Sequence, residues 1–419
     1  MNTQNGKAHD TRYEWRLVIL FAFGWGFLFL DRLCISYMMP TLTEAMSLTN
    51  AQVGLLGSVN TICFAISSIV VGILSDRSGY RKRWLIPFVF ATAIFSGLCA
   101  VSTNHTQLMI LRGLVGLAEG PIMALIYSLL APASTDETYG RNTGIVNVGA
   151  AVIAVTLGPV AITQLLSIST WQMTFLLASI PSAILGLIMI KAVKERKTEK
   201  AAVPDSTQKE GGLKILLEAL RIRNVLLCCL IGIVGFGAYW VLMLYVPLYW
   251  TSVVGKDIQS MGFVTSGMGV LAVVYCFFVP KISDVIGRKT ALLLFYFTSM
   301  LAPFSMALFA QSDVTVYIYM MLAGIPCATL PIFMSIVPVE SSPDYLRASA
   351  GGLVVGIGEL IGGSVIPAWA GRLADQSAGG LTTTMLVGAV CLLIAGLLSI
   401  GLKESNAAVL AKRAQRKGQ

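Results

Sequence analysis

The chain has 419 residues, of which 56% are hydrophobic and 12% are charged, and its formal net charge is +9. This composition excludes an ordinary soluble globular protein, because a soluble core of this size does not hide so much apolar surface. The basic residues are dispersed among short polar segments rather than gathered on one face, which argues against a nucleic-acid partner.

Apolar runs of roughly 20 residues, the length that an α-helix needs to cross the hydrocarbon core of a bilayer, follow one another along the whole chain. They predict an all-α membrane protein with twelve transmembrane helices. The first six are predicted near residues 17–40, 53–75, 84–102, 108–131, 142–166 and 173–193. The second six are predicted near residues 224–250, 260–280, 290–310, 314–338, 348–370 and 381–402.

The longest polar segment divides these helices into two sets of six. It predicts an N-terminal six-helix bundle over residues 1–193, a cytoplasmic linker over 194–223, and a C-terminal bundle with a short cytoplasmic tail over 224–419. Lys and Arg concentrate in the cytoplasmic loops of membrane proteins, and 26 of the 30 fall on the side of the chain termini. Both termini are therefore predicted in the cytoplasm, and the predicted location is the inner membrane of a bacterium.

The sequence lacks the motifs of a nucleotide-driven pump or an enzyme. It contains no phosphate-binding loop of the form Gly-x-x-x-x-Gly-Lys-Ser/Thr, and its polar segments are too short for a nucleotide-binding domain. Both histidines lie in predicted loops, and the eight cysteines lie in apolar runs without metal-binding spacing. We therefore predict no enzymatic activity, no metal and no cofactor, and a transport process that is passive or ion-coupled.

One short motif recurs between the second and third helices and between the eighth and ninth helices. Each copy combines a carboxylate, a turn-permitting glycine and a basic pair on a tight loop. Such a loop can hold helix ends together by charge-assisted hydrogen bonds and release them when two bundles rock; the alternative is a basic cluster that only sets the topology. The predicted gating-loop residues are Asp76, Arg77, Gly79, Arg81 and Lys82 in the first copy and Asp284, Gly287, Arg288 and Lys289 in the second.

Five ionisable residues lie inside predicted helices, where a charge is costly and therefore indicates function. Arg112 and Glu119 are seven residues apart, so they share one face of a helix about 10 Å apart along its axis. Asp31 and Arg32 lie at a depth between them, and Asp31 can pair with Arg112. Either these residues form salt bridges that only join helices, or a cation receives an anionic substrate while a carboxylate carries a proton. The fifth is Glu359, in the eleventh helix.

Three features together resemble the major facilitator superfamily: the repeated loop, Arg112-x-x-x-Gly116-x-x-x-Gly120 in the fourth helix, and Gly158-Pro159 in the fifth. The resemblance covers nearly the whole chain. It implies a secondary transporter with a central cavity lined by the first, fourth, seventh and tenth helices. One departure is Tyr80, where the superfamily usually has a basic residue. We also predict that the protein functions as a monomer.

Parts of the first and fourth helices resemble the anion:cation symporter branch, which includes carriers of galactonate, hexuronate, glucarate and phthalate. The resemblance implies that Arg32 binds the substrate carboxylate. It also implies that Asp31 and Glu119 are proton sites and that Arg112 couples to Asp31. The elements that carry it are Phe29-Leu30-Asp31-Arg32 and Leu111-Arg112-Gly113-Leu114-Val115-Gly116-Leu117-Ala118-Glu119-Gly120.

Further residues complete the predicted substrate site. The resemblance implies a substrate-binding amide at Asn147, whereas Phe29 stands where sugar-acid carriers usually have a tyrosine. Tyr239 and Tyr245 are predicted to close over the substrate, with core packing as the alternative reading. Glu359 stands where an amide or a small residue is more typical. Three alternative roles are predicted for it: a second proton site, a hydrogen-bond acceptor, or a partner for a cationic group on the substrate.

The leading prediction is a secondary active transporter that takes up a small organic anion with protons by alternating access. A sugar acid, an aromatic acid or a dicarboxylic acid would be such a substrate. The alternative is a proton-driven exporter of amphipathic compounds, which would have a membrane-embedded carboxylate without a substrate-binding arginine; Arg32 argues against it. A membrane sensor is the third class, and the lack of a sizeable soluble output domain argues against that.

Overall fold

The computed structural model describes residues 10–195, 212–310, 312–406, 409–411 and 415. Within these ranges the side chains at positions 76, 136, 137, 212–215, 313, 344 and 348 lie outside the description. The middle of the predicted linker, residues 196–211, is therefore not described, and the division of the chain into residues 1–193, 194–223 and 224–419 stays a prediction.

The described residues form twelve helices long and apolar enough to cross a membrane, which confirms the predicted fold class. We number them helix 1 to helix 12 in chain order. In the first half they are Thr11–Met46, Asn50–Ser75, Lys82–Val101, His105–Ala133, Thr138–Ile168 and Trp171–Ala192. In the second half they are Arg223–Ser252, Ile258–Ile286, Arg288–Leu308, Val314–Ser341, Ser349–Gln376 and Thr382–Ile400. A further short helix, Gly212–Arg221, precedes helix 7.

Several helices begin two or three residues before the predicted apolar run. Capping side chains set these starts, because they satisfy the first backbone N–H groups of the helix. The Thr49 side chain accepts from the backbone of Gln52, and the Gln52 side chain reaches back to Thr49. At the starts of helices 4 and 8, the side chains of Asn104 and Asp257 accept from the backbone N–H groups of Gln107 and Ser260.

Helix 4 is interrupted by Pro121, directly after Glu119 and Gly120. Proline has no N–H, so the carbonyl four residues earlier, that of Leu117, loses its helical donor. The hydroxyl of Ser67 on helix 2 donates to this carbonyl instead. Helices 5, 10 and 11 contain π-helical segments at Ala151–Leu157, Ile332–Ile336 and Gly358–Gly363, a type of irregularity that is frequent at functional sites.

Helices 1–6 pack into one bundle and helices 7–12 into another. We call these the N-terminal bundle and the C-terminal bundle. They meet where helix 1 packs on helix 7, helix 2 on helix 11 and helix 5 on helix 8. Since twelve helices cross in alternation, the start of helix 1 and the end of helix 12 lie on one side of the molecule, the terminal side, and the opposite side is the far side.

The two bundles are joined on the far side. The Asp375 carboxylate at the end of helix 11 accepts from the backbone N–H groups of Asn50 and Ala51, at 3.0 and 2.8 Å, at the start of helix 2. Ser58 of helix 2 donates to the main-chain oxygen of Ser364 in helix 11. All the hydrogen bonds found between described residues of the two bundles lie in this half of the molecule.

The terminal side is open by contrast. A Cβ atom added at Gly72, Gly352 or Gly356, all near the terminal ends of helices 2 and 11, would meet no described atom within 4 Å. At the far end of the same two helices, Gly54 and Gly371 lie against backbone atoms of the opposite bundle. The central space between the bundles is therefore closed toward the far side and accessible from the terminal side.

Candidate functional site

The repeated loops take nearly the same structure in both bundles. Arg81 donates from Nη1 to the hydroxyl of Ser75 at 2.8 Å, and Arg288 donates from Nη1 to the hydroxyl of Ser283 at 2.6 Å. Gly79 and Gly287 have φ angles of 70° and 99°, in the left-handed region that favours glycine. Because the same contacts recur in both bundles, they favour a loop that holds helix ends together over a basic cluster that only sets the topology.

Each loop is attached to its own bundle by the lysine of its motif and by one glutamate that lies outside the motif. Glu195, just after helix 6, accepts from the backbone N–H groups of Arg81, Lys82 and Arg83 at 3.0 to 3.2 Å. Glu404, just after helix 12, accepts from the backbone N–H of Arg288 at 2.8 Å. The Nζ atoms of Lys82 and Lys289 donate to the carbonyls of Ile190 and Ile400, at 2.6 and 2.5 Å. Neither glutamate was predicted as a site residue from the sequence, although each directly follows the last helix of its set of six.

The second loop also contains ion pairs. Arg288 forms ion pairs with Asp284 at 2.6 Å and with Glu340 at 2.9 Å, and Glu340 is a residue that the sequence analysis did not select. Arg77 is exposed. The Asp76 side chain lies outside the described part of the structure, so its predicted gating contact stays a prediction.

Asp31 is fully buried, but its carboxylate does not face Arg112 as expected. It accepts from the hydroxyls of Ser96 on helix 3 at 3.1 Å and Ser182 on helix 6 at 2.5 Å. Arg112 instead donates from Nη1 to the main-chain carbonyl of Asp31 at 3.3 Å and from Nη2 to the sulfur of Cys99 at 3.3 Å. The predicted ion pair is absent among the described contacts, because the two serines turn the carboxylate into the N-terminal bundle.

Arg32 points the other way, toward the C-terminal bundle. Its guanidinium carbon lies 4.5 Å from the centre of the Phe64 ring on helix 2 and 4.4 Å from that of the Trp240 ring on helix 7. Its side chain is largely buried, and its Nη2 atom has no acceptor among the described residues. A buried guanidinium that makes cation–π contacts but no ion pair is held in place while its N–H edge remains free for an anion.

Glu119 is fully buried at the break in helix 4, and neither of its carboxylate oxygens has a donor among the described residues. Its charged neighbours are Arg32, Arg112 and Glu359, yet it forms no described ion pair with either arginine. Burial without donors favours the uncharged form of a carboxylic acid. The salt-bridge reading of the four N-terminal charges therefore has no support in these contacts.

Glu359 lies in the π-helical segment of helix 11, half-buried beside the same cluster. Its Oε2 atom accepts from the indole N–H of Trp240 at 3.0 Å. A chain of contacts thus runs from Glu359 through Trp240 to Arg32, from one bundle to the other. Trp240 and Phe64 were missed as site residues, because one aromatic residue among many in apolar helices carries no distinguishing signal.

The three remaining predicted substrate residues lie at different depths. Tyr239 is buried beside Trp240, with ring centres 5.2 Å apart. The Tyr245 hydroxyl donates to the main-chain oxygens of Asn50 at 2.8 Å and Pro367 at 3.1 Å, so this tyrosine belongs to the far-side closure rather than to the cavity.

Asn147 lies toward the terminal side of the site. It is exposed and donates to the hydroxyl of Tyr127 at 2.6 Å. Its neighbour Gly149 packs on Ala22 of helix 1, which places this level about 15 Å from Arg32 along helix 1. The structure therefore does not bring Asn147 next to Arg32.

A narrow cavity of about 30 Å³ lies between the bundles at Arg32. This is room for no more than a few waters, so the far-side closure leaves no space for a substrate beyond Arg32. The cavity walls come from helices 1, 2, 4, 7 and 11, and they include the apolar residues Ile35, Leu56, Leu244 and Pro367. The polar lining residues are Arg32, Ser36, Asn60, Thr61, Arg112 and Trp240.

Two bundles of six membrane-spanning helices, with buried charges at a cavity that is open to one side, define a multi-pass membrane transporter. A model of the Major Facilitator Superfamily matches residues 21–367. The chain therefore belongs to this superfamily, as the sequence motifs predicted, and it is a transport protein rather than an enzyme.

Individual relatives agree with this assignment. A hexuronate transporter of Bacillus subtilis is 28% identical over 65% of this chain and 65% of its own length. A gentisate transporter of Corynebacterium glutamicum is 26% identical over 91% of this chain and 86% of its own length. A solved bacterial homologue of the human lysosomal transporter Spinster, inward-facing and unoccupied, has a TM-score of 0.76 at 16% identity, covering 93% of this chain and 97% of its own. That last likeness shows the fold alone.

Proposed function

We propose that the protein is a proton-coupled symporter that takes up a small organic carboxylate across the inner membrane of a bacterium. The hexuronate and gentisate relatives support an organic acid as the substrate. The observation that carries the proposal is a pair of buried groups without described hydrogen-bond partners, of which Arg32 lines the cavity. Arg32 offers a free N–H edge, and Glu119 has two oxygens without donors.

The two groups provide a physical route to coupling. A guanidinium does not lose its proton in a protein, so Arg32 needs an anion to neutralise it. Glu119 is most easily kept in this apolar setting when it carries a proton. Loading the site with one carboxylate and one proton therefore satisfies both groups, and the empty, deprotonated site leaves both charges buried.

Membrane orientation follows from the basic loops in this proposal. If the terminal side faces the cytoplasm, as the distribution of Lys and Arg predicts, the structure is the inward-facing state. The far-side contacts of Asp375 and Tyr245 then close the outer gate. Alternating access requires that these contacts break and that the terminal side closes while the charged cluster stays at the centre.

The test is uptake of radiolabelled benzoate, glucuronate and succinate into proteoliposomes with an acidic exterior, measured relative to protein-free liposomes, because neutral benzoic acid crosses a bilayer without a carrier. We expect at least one of these anions to accumulate above its equilibrium level, and a protonophore to abolish the accumulation. The uncharged amide of the same acid, such as benzamide, is the matched control and is expected not to accumulate. Binding of neutral or cationic compounds alone, or pH-driven movement outward of amphipathic compounds, would contradict the proposal and favour an exporter.

A further inference from the structure

The guanidinium of Arg32 lies against aromatic rings. Phe64 and Trp240 present ring faces to the guanidinium, and Tyr239 packs edge-on against Trp240. A carboxylate that hydrogen-bonds to the free Nη2 edge must place its next atoms beside these rings. Because the guanidinium covers one face of each ring, a flat, unsaturated body would meet the rings at their edges, and edge-to-face aromatic pairs gain attraction beyond the apolar area that they bury.

Two polar side chains of the cavity lining already donate to main-chain oxygens. Asn60 donates to the main-chain oxygen of Arg112 at 3.0 Å, and Thr61 donates to that of Gly57 at 3.1 Å. Among the described lining residues, Ser36 is the one hydroxyl with no protein hydrogen bond. A polyol bound to Arg32 would bury several hydroxyls beside the aromatic rings, and each one that is buried without a partner weakens binding.

Trp240 is held in its position from within the C-terminal bundle. Its indole N–H donates to Glu359 Oε2, and the close approach is allowed by Gly363. A Cβ atom at Gly363 would lie 2.7 Å from the Glu359 oxygen and 2.9 Å from the indole ring. Glu359 therefore has a structural partner that fixes the orientation of the ring covering Arg32.

We propose that this site selects carboxylates with a flat aromatic or unsaturated body over polyol acids, that Trp240 is the specificity-determining residue, and that Glu359 is a positioning residue that holds Trp240. This inference rests on the proposed function, because it assumes that Arg32 receives a carboxylate. It assigns the selection to the C-terminal bundle, whereas charge recognition lies in the N-terminal bundle.

The substrate class is tested with three acids of the same charge, measured by thermal shift and by competition for uptake with the purified full-length protein. Benzoate is flat, cyclohexanecarboxylate has the same ring size but is puckered, and gluconate is a polyol. We expect benzoate to bind about three- to tenfold more tightly than cyclohexanecarboxylate, and gluconate to bind most weakly. Tighter binding of gluconate than of benzoate would overturn the inference.

The role of the indole ring is tested with Trp240→Leu. The variant is expected to lose the preference for benzoate over cyclohexanecarboxylate while it still binds both. Trp369→Leu is the matched control, because Trp369 is on helix 11 of the same bundle and its side chain is exposed on the outer surface. If Trp240→Leu keeps the full preference, Trp240 does not select the substrate. Should it fail to fold, Trp240→Met, a second variant without an aromatic ring, gives the same comparison.

The role of Glu359 is tested with a pair of substitutions. Glu359→Gln keeps an oxygen that can accept from the indole N–H, whereas Glu359→Leu does not. We expect Glu359→Gln to keep both the benzoate preference and pH-driven accumulation. We expect Glu359→Leu to raise the KM for benzoate and to reduce the preference, without that effect in a Trp240→Phe background. Loss of accumulation in Glu359→Gln, with exchange intact, would make Glu359 a proton site and overturn its positioning role.

The possible failures are distinguishable. If none of the three acids binds, the proposed function fails together with the inference. If gluconate binds and is accumulated with protons while benzoate is not, the proposed function stands and the inference is wrong.

Discussion

The two bundles agree at their terminal side and differ at their centre. At the terminal side each loop turns at a left-handed glycine, and each is capped by a glutamate that follows the last helix of its bundle, Glu195 or Glu404. At the centre the N-terminal bundle buries Asp31, Arg32 and the charges of helix 4, whereas the C-terminal bundle contributes Glu359 bonded to an indole. We therefore expect the repeated loops to serve the shared framework and the unrepeated centre to carry the proposed substrate and proton sites.

Replacement of a central carboxylate of the N-terminal bundle is expected to have the largest effect. Glu119→Gln should abolish accumulation driven by a pH gradient but preserve exchange, because exchange proceeds with the proton site permanently neutral. Radiolabelled uptake into proteoliposomes, with and without a gradient, measures both activities. Asp31→Asn is measured in parallel, since Asp31 is the second candidate for the proton site. Normal gradient-driven accumulation in Glu119→Gln would remove Glu119 from the coupling mechanism.

Arg32→Lys is expected to have the next largest effect. Lysine keeps the charge but loses the planar fork that matches a carboxylate and stacks on aromatic rings. We expect substrate binding to weaken at least about tenfold, roughly 1.4 kcal/mol, as measured by thermal shift or radioligand binding. Arg221→Lys, at an exposed position in the short helix before helix 7, is the control and should bind normally. Unchanged affinity in Arg32→Lys would show that Arg32 has only a structural role.

A substitution at the far-side interface between the bundles is expected to have an effect of intermediate size. A methyl group at Gly371 would collide with the Asn50 carbonyl and the Tyr245 hydroxyl, whereas one at Gly352 has free space. Gly371→Ala should therefore shift the protein toward a state that is open on the far side, and Gly352→Ala should not open that side.

Spin labels at the far ends of helices 1 and 11 measure this shift. In a background without cysteines, labels at Glu44 and Gln376 are expected to move apart in Gly371→Ala and to keep the wild-type distance in Gly352→Ala. Equal distances in all three proteins would show that the contact at Gly371 does not control far-side closure.

The smallest effects are expected at the repeated loops. Glu195→Gln and Glu404→Gln each remove the charge from a carboxylate that accepts backbone N–H bonds at a helix start, so each should lower stability by about 1 kcal/mol. Thermal denaturation in detergent measures the loss, with Glu44→Gln on the exposed far side as a control. Similar losses for the two variants would support equivalent scaffolds. A large loss of transport in only one of them would break the symmetry of the loops.

The sequence by itself determined the features that depend on residues close together along the chain. The length of each apolar run predicted twelve spans, and the repeated loop together with the helix 4 motif predicted the superfamily. The cost of burying a charge marked Arg32, Glu119 and Glu359 as functional candidates. Serines that lie in the predicted third and sixth helices, Ser96 and Ser182, carried a weaker polar signal that went unused.

Only the tertiary structure decided which groups meet. Helical spacing gives the depth and face of a residue, but a carboxylate chooses its partner by the rotation and packing of neighbouring helices. Asp31 therefore turns to Ser96 and Ser182 rather than to Arg112. Arg32 meets Trp240, about two hundred residues away in sequence, because the far-side closure brings helix 7 against helix 1.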